Sequence, residues 1–178
     1  ANDNGFLDQC EAALGNGLIG QYYEGDDPGE FTTRLLVRID AQIDVNWGNG
    51  SPDPIVPNDD FTVRWTGTVT TPATGGTYMF HTITDDGARL WVDNVLLIDR
   101  WVDQGTTQWD AAIDLAGSTT YAIRMEYYEA GGGAEARLHW TVPGGSQEAI
   151  PNANLGAFLD LDGDGIPDDA ADCNGNGI

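Results

Sequence analysis

The sequence has little positive charge and lacks any long apolar run. Lys and Arg total 7 against 29 Asp and Glu, which gives a net charge of -22 at pH 7. A surface this acidic repels phosphate backbones and anionic lipid heads, which argues against binding to nucleic acid or to a membrane surface. No apolar run approaches the length of a membrane span, so we expect no membrane insertion. The excess of carboxylates instead favours hard divalent cations, which prefer oxygen ligands.

Cysteine is also scarce, with one residue near each end of the chain, Cys10 and Cys173. In an oxidising compartment the two form a terminal staple if their Cα atoms come close enough. The alternative is that each cysteine pairs with a partner outside this chain. Neither has a plausible base motif nearby, which argues against catalytic cysteine chemistry.

A helical period is missing as well, because Gly, Pro, Thr and Asp interrupt every candidate segment. In Phe61–Val69, by contrast, Phe61, Val63 and Trp65 face one way and polar residues the other, which predicts a half-buried strand of an antiparallel sheet. Thr120–Glu129 alternates in the same way. Many such strands between Gly and Pro turns predict an all-β sandwich or barrel. The 6 Trp, 6 Tyr and 5 Phe supply the burial that a disordered acidic chain lacks.

The segment Arg100–Asp110 is predicted to be a loop that contains two tryptophans, Trp101 and Trp109. Most Trp side chains of such a domain belong to its core, but a tryptophan in a loop is a candidate for lining a binding site. A structural role for both residues is the alternative.

The sharpest concentration of charge in the centre of the chain is the pair Asp85 and Asp86, followed by Gly87. The apolar segments Thr77–Thr84 and Ala88–Asp93 on either side are predicted strands, so the pair lies at a tip. Calcium binds about six to eight oxygens in flexible geometry, and two neighbouring carboxylates supply several of them. The alternative is an ordinary hairpin turn, a common use of the dipeptide Asp-Gly. We favour a calcium site.

Six segments, in their order and spacing, carry a family resemblance: Gly20–Tyr23, Phe61–Gly67, Thr84–Asp93, Ile98–Trp101, Met125–Glu129 and Gly132–Trp140. Together they resemble the PA14 domain, the β-sandwich module named after a fragment of anthrax protective antigen. The resemblance covers about Asn16 to Leu155 and implies an antiparallel β-sandwich. Members occur in adhesins, glycosidases and toxins, so the fold by itself does not imply a single function.

For the tip, the resemblance implies that a cis peptide joins Asp85 and Asp86 and that both side chains bind one calcium ion. It further implies that a late Gly-rich loop, here Glu129–Ala134, adds ligands and that sugar hydroxyls complete the coordination. The sequence departs from this pattern because Ala130–Gly133 offers no polar side chain. Backbone carbonyls, Glu129 or Glu135 would have to serve instead. The predicted ligand-binding residues are Asp85, Asp86, Trp101, Asp103, Gln104, Glu129, Gly132 and Gly133.

A second calcium-binding pattern lies near the carboxyl end. Asp160, Asp162, Asp164 and Asp168 occupy positions 1, 3, 5 and 9 of an EF-hand-like loop, and Ile166 occupies the position whose carbonyl is a ligand. The segment also resembles thrombospondin type-3 and dockerin repeats, although position 12 carries an alanine. The alternative is a solvated acidic tail.

These patterns divide the chain into three parts. Residues 1–16 are predicted to be the end of an acidic calcium-binding repeat or linker, 17–156 the β-sandwich, and 157–178 a calcium-binding tail with short irregular segments. We expect the chain to be a fragment of a longer protein.

The predicted function is a calcium-dependent carbohydrate-binding module, of lectin or adhesin type, in a larger secreted or cell-surface protein. Its expected partners are glycans or cell-surface polysaccharide and neighbouring domains of the same chain. The alternative is a ligand-free structural spacer in a surface or matrix protein. An enzyme is not expected, because the sequence has no nucleophile-elbow, P-loop or zinc signature. Asp85 and Asp86 are also too close in sequence to face each other across a sugar as a glycosidase pair.

Overall fold

The computed structural model describes residues 15–25 and 31–158. Both cysteines, residues 1–14 of the predicted amino-terminal linker and the predicted calcium loop at 160–168 lie outside the described residues. Gly15 and Asn16, which are predicted to end the linker, form a strand of the sandwich. The described part is built from thirteen β-strands and one short 3-10 helix at Asn152–Asn154. In chain order the strands are β1 (Gly15–Asn16), β2 (Leu18–Glu24), β3 (Thr33–Asp40), β4 (Asp44–Gly48), β5 (Phe61–Thr70), β6 (Gly76–Asp85), β7 (Ala88–Val92), β8 (Val95–Arg100), β9 (Thr107–Leu115), β10 (Thr120–Glu129), β11 (Ala134–Thr141), β12 (Glu148–Ala149) and β13 (Leu155–Ala157).

The strands form two antiparallel sheets, a large one and a small one. The large sheet has the order β8-β7-β10-β5. On the other edge of β5, its first residues pair with β2, which in turn pairs with β3. The last residues of β5 pair on the same edge with β13, which in turn pairs with β1. The small sheet has the order β9-β6-β11. The other edge of β11 pairs with β4 along its first residues and with β12 further along. The predicted all-β antiparallel sandwich is confirmed.

The core lies between the two sheets and is rich in aromatic rings. In the large sheet Trp65 packs edge-on against Tyr22, with ring centroids 6.1 Å apart, and in the small sheet Tyr78 lies 5.7 Å from Trp140. Alternation explains this arrangement, because every second residue of a strand points to the same face. The apolar residues that alternate along β5 and β10 are therefore the buried ones.

The prediction that β5 is only half-buried is wrong, because its second face is covered too. Thr62 and Thr66 on that face are fully buried. Arg64 between them forms an ion pair with Glu126 of β10, at 3.0 Å. The ring of Phe31 lies over its guanidinium, 4.1 Å from the ring centroid. Charges that are paired and stacked in this way form a second layer outside the sheet.

Two details of the strand assignment also differ from the sequence prediction. Trp109 belongs to β9, which begins at Thr107, rather than to a loop. The polar residues that precede Trp109 conceal an alternating strand with an exposed polar face. A last strand, β13, has no counterpart among the predicted strands and pairs with Val69 and Thr68 of β5.

No helix among the described residues has the length and apolar character needed to cross a membrane.

A core substitution tests this arrangement. Leu90 of β7 is fully buried, whereas Leu96 of β8 is 45% exposed. We expect Leu90→Ala to lower the free energy of unfolding by about 2–5 kcal/mol, because it removes buried methyl groups and leaves a cavity. Leu96→Ala is the matched control and should change it by less than about 1 kcal/mol. Urea unfolding followed by tryptophan fluorescence measures both, and equal losses in the two variants would contradict the assigned core.

Candidate functional site

The acidic tip Asp85–Gly87 is a crossing between the two sheets. Asp85 is the last residue of β6 in the small sheet, and Ala88 is the first residue of β7 in the large sheet. The hairpin alternative is therefore wrong, because the strands on either side of the tip do not pair with each other. Glycine is required at position 87, since a Cβ there would lie 2.8 Å from the backbone of Arg100 and would collide with the Tyr128 ring.

Three carboxylates converge at this crossing. The peptide between Asp85 and Asp86 is cis, as the family resemblance implies. One oxygen each of Asp85, Asp86 and Glu129 lies within 4.8 Å of the others. Asp86 and Glu129 are buried, and Asp85 is half-buried. Oxygen atoms from three carboxylates in such proximity are the donor set that a calcium ion prefers.

Asp86 is held in place by backbone donors from two different loops. Its Oδ1 accepts the backbone N–H of Gln104 at 2.9 Å, and its Oδ2 accepts that of Ala130 at 3.0 Å. The side-chain amide of Gln104 also donates to the carbonyl oxygens of Asp86 and Thr84, at 3.1 and 3.3 Å. The β8–β9 loop (101–106) and the late loop (130–133) are thereby fixed to the tip.

Glu129 ends β10 beside the tip and keeps one oxygen without a partner. The Tyr127 hydroxyl lies 3.1 Å from its Oε2 and donates to the carbonyl oxygen of Asp85 at 2.6 Å. Oε1 of Glu129 is buried and has no hydrogen-bond partner. A buried carboxylate oxygen left in this state is costly, and a bound cation would satisfy it.

The electrostatics of the cluster follow from burial and mutual repulsion. Burial raises the pKa of Glu129 to about 7, against the hydrogen bond from Tyr127, and the negative charges of Asp86 and Asp85 add to the rise. Burial and the neighbouring Asp86 also raise the pKa of Asp85. Both carboxyls thus ionise at a higher pH than exposed carboxyls do, and a bound cation would favour their ionised forms.

The late loop lies directly against the cluster. A Cβ on Gly133 would stand 3.5 Å from Oδ2 of Asp85. Gly132 has a φ of +103°, which favours glycine, and its N–H donates to Oδ1 of Asp59 at 3.2 Å. Asp59 belongs to the loop between β4 and β5, which the sequence analysis did not connect with the site. Its charge contributes to the raised pKa of Glu129.

Of the two carboxylates considered as substitutes for a late-loop ligand, the structure brings only Glu129 into the cluster. Glu135 is the cross-strand partner of Asp85, but its two oxygens are already engaged. Thr106 donates to one at 2.9 Å, and Arg137 pairs with the other at 2.5 Å. Glu135 therefore braces the β8–β9 loop from the side of the small sheet.

Two further predicted ligand-binding residues, Trp101 and Asp103, contact the large sheet and not the carboxylates. Trp101 stacks on Tyr128 with ring centroids 4.8 Å apart and lies under the guanidinium of Arg89, 4.5 Å away. Asp103 accepts the hydroxyl of Tyr128 at 2.7 Å. Of the predicted residues, the structure thus brings together Asp85, Asp86, Gln104, Glu129, Gly132 and Gly133. Tyr127, Ala130 and Asp59 are not among the predicted site residues. Tyr127 and Ala130 lie in segments of the family resemblance, but their contacts with Asp85 and Asp86 depend on the fold, as does the contact of Asp59 with Gly132.

Comparison with known proteins agrees with this geometry. The family model of the PA14 domain matches residues 14–154. The chain belongs to the PA14 domain family. Over 141 residues it is 45% identical to the anti-sigma-I factor RsgI3 of Acetivibrio thermocellus, which covers 79% of this chain and 21% of that protein.

Two solved structures place the PA14 fold in different proteins. An anti-sigma factor domain-containing protein is 44% identical, with a TM-score of 0.75 over 80% of this chain and 48% of that one. The PA14 sugar-binding domain from an RTX adhesin is 20% identical, with a TM-score of 0.66 over 80% of this chain and 99% of that one, and shows the fold alone. The chain spans about a fifth of the anti-sigma-I factor and about half of the solved anti-sigma factor protein.

The raised pKa of Glu129 predicts how the stability of the metal-free protein depends on pH. The ordinary pKa of a glutamate is 4.5, and that of Glu129 in the folded chain is about 7. The unfolded chain releases this proton at lower pH, so the folded state loses stability as the pH rises from 4.5 towards 7. We expect Glu129→Gln to remove this loss, measured as melting temperature in chelator between pH 5 and pH 8.

The control is Glu24→Gln, which removes one charge from an exposed position at the end of β2. It should leave the pH dependence of the melting temperature as in the unmodified chain. If Glu129→Gln and Glu24→Gln give the same curve, Glu129 does not carry the raised pKa.

Proposed function

We propose that this domain is a calcium-dependent carbohydrate-binding module in which Asp85, Asp86 and Glu129 hold the ion. The observation that carries the proposal is the convergence of these carboxylates within 4.8 Å, with one buried oxygen of Glu129 left unpartnered. A divalent cation satisfies that oxygen and neutralises the repulsion between the side chains.

The cluster leaves room for further ligands on the ion. If each carboxylate binds through one oxygen, the three supply three of the six to eight or so ligands that calcium prefers. Asp85 is half-buried, so the cluster is open to solvent on its side. Neighbouring hydroxyls of a sugar ring are the oxygen donors that would fill the open positions, and the loops 101–106 and 130–133 would contact the rest of the glycan.

The names of the relatives reported above support a binding role. The RTX adhesin domain is described as sugar-binding, and the more similar relatives are described as anti-sigma factors. We therefore propose no enzymatic activity. The module would act outside the cell, on glycans or cell-surface polysaccharide, beside other domains of its own chain.

The tail ligands Asp160, Asp162, Asp164, Ile166 and Asp168 stay a separate proposal for a calcium loop that stiffens the linker.

A second candidate function follows from the similarity to anti-sigma factors. At 45% identity over most of the domain, the module of an anti-sigma factor is closer in sequence than the adhesin domain. In that setting glycan binding would be a signal that the parent protein reports, and not a means of attachment. The binding site would be the same for both functions.

The proposal is tested by glycan binding to the unmodified chain and to Asp86→Ala. We expect array binding in calcium that is lost in chelator and lost in the variant, because Asp86 supplies both an ion ligand and the anchor for two loops. Isothermal titration should show a loss of at least about 100-fold in affinity, about 2.7 kcal/mol.

Asp114→Ala is the matched control. It removes the same charge at the opposite end of the small sheet, where Asp114 accepts a hydrogen bond from Thr77. This variant should bind as the unmodified chain does. The absence of binding to any glycan, with the chain folded and loaded with calcium, would favour the structural spacer instead.

A further inference from the structure

The side of the sandwich next to the tip carries a cleft that the tip site does not use. The cleft lies between residues 96–100 of β8 and the residues Trp109 and Asp110 of β9 and has a volume of about 280 Å³. We call it the side cleft. Among the described strands, β8 pairs only with β7 and β9 only with β6, so the two walls are free edges of the two sheets. Among the described residues, the β8–β9 loop lies at one end of the gap between these edges.

The walls of the side cleft combine apolar surface with a few polar groups. Leu96 is 45% exposed, and Leu97 and Trp109 are partly buried against the core. The carboxylates of Asp99 and Asp110 are exposed on the rim. Arg100 lies over the Trp109 ring, 4.3 Å from its centroid. Apolar walls with a small number of charged groups are typical of small-molecule sites, in which the charged groups fix the orientation of the ligand.

The side cleft begins at the tip and runs away from it. Arg100, at one end, pairs with Ala88, the second residue after Asp86. On the other wall Trp109 pairs with Thr82, which precedes Asp85 by three residues. At 3.3 Å per residue, the Cα atom of Trp109, which is level with Thr82, lies about 10 Å along the strand from the level of Asp85. An oligosaccharide bound at the tip reaches this distance with its next few units.

One residue connects the two places. Gln104 accepts the indole N–H of Trp109 at 3.0 Å and donates its own backbone N–H to Asp86 at 2.9 Å. A ligand that orders Trp109 therefore also orders the loop that holds an ion-binding carboxylate. Gln104 therefore links one wall of the side cleft to the cation site.

We propose that the side cleft is a second saccharide subsite, which binds further units of a glycan whose first unit lies on the cation. This proposal rests on the function proposed above. Trp109, Leu96 and Leu97 contact the apolar faces of the sugar rings, and Asp99, Asp110 and Arg100 bond to their hydroxyls. A neutral polysaccharide is favoured over an acidic one, because the chain carries a net charge of -22.

The test compares chain lengths. Titration calorimetry in calcium uses β-1,4-linked oligomers of glucose, xylose and mannose, from one to six units. We expect at least one series in which the hexamer binds about tenfold more tightly than the monomer, or more. Leu96→Glu should reduce this ratio to about threefold or less, because it places a charge on the exposed apolar wall.

Ile39→Glu is the matched control, since Ile39 is 44% exposed on β3 at the far edge of the large sheet. A second pair is Arg100→Ala with Arg34→Ala as its control, both at exposed arginines. The controls should keep the ratio of the unmodified chain, whereas Arg100→Ala should lower it.

The outcomes separate this proposal from the cation site. If calcium-dependent binding persists but Leu96→Glu keeps the full gain with length, the side cleft is not a subsite and the cation site stands. If no member of the three series binds the unmodified chain, the side cleft is not a subsite for these glycans and the proposal is overturned. The cation site would then be tested separately, by the calcium-dependent array binding of glycans with other linkages.

Discussion

The mutual repulsion of three carboxylates at the crossing between the sheets is the constraint on which the rest of the site depends. Asp85 and Asp86 lie where the chain leaves the small sheet for the large one, and Glu129 ends the strand beside that crossing. Without a cation, burial together with the negative charges of Asp86 and Asp85 raises the pKa of Glu129 to about 7. A divalent cation bound by the three carboxylates would offset their mutual repulsion.

The fold holds the cluster by fixing loops from both sheets. Gln104 and Ala130 donate to the two oxygens of Asp86, so the β8–β9 loop and the late loop cannot move independently of it. The first of these loops is secured again on the large sheet, where Trp101 stacks on Tyr128 and under Arg89. The layer that buries the second face of β5 is thus also the foundation of the binding surface.

Much of this could be predicted from sequence, and the failures have physical reasons. Alternation along β5 and β10 predicted the core face, and the family resemblance predicted the cis pair at Asp85 and Asp86. Glu129 was one of two candidates, because choosing between it and Glu135 depends on which one Thr106 and Arg137 engage.

Contacts between distant segments were not accessible in the same way. The carboxylate of Asp59 contacts the site by accepting the backbone N–H of Gly132, a residue 73 positions later in the chain. The buried outer face of β5 depends on Phe31 folding back over Arg64, which no strand pattern encodes.

The most direct measurement of the central claim is a crystal structure grown in calcium, with anomalous scattering recorded to locate the ion. The account predicts a peak bound by Asp85, Asp86 and Glu129; a fully calcium-loaded crystal with only water between these carboxylates would contradict it.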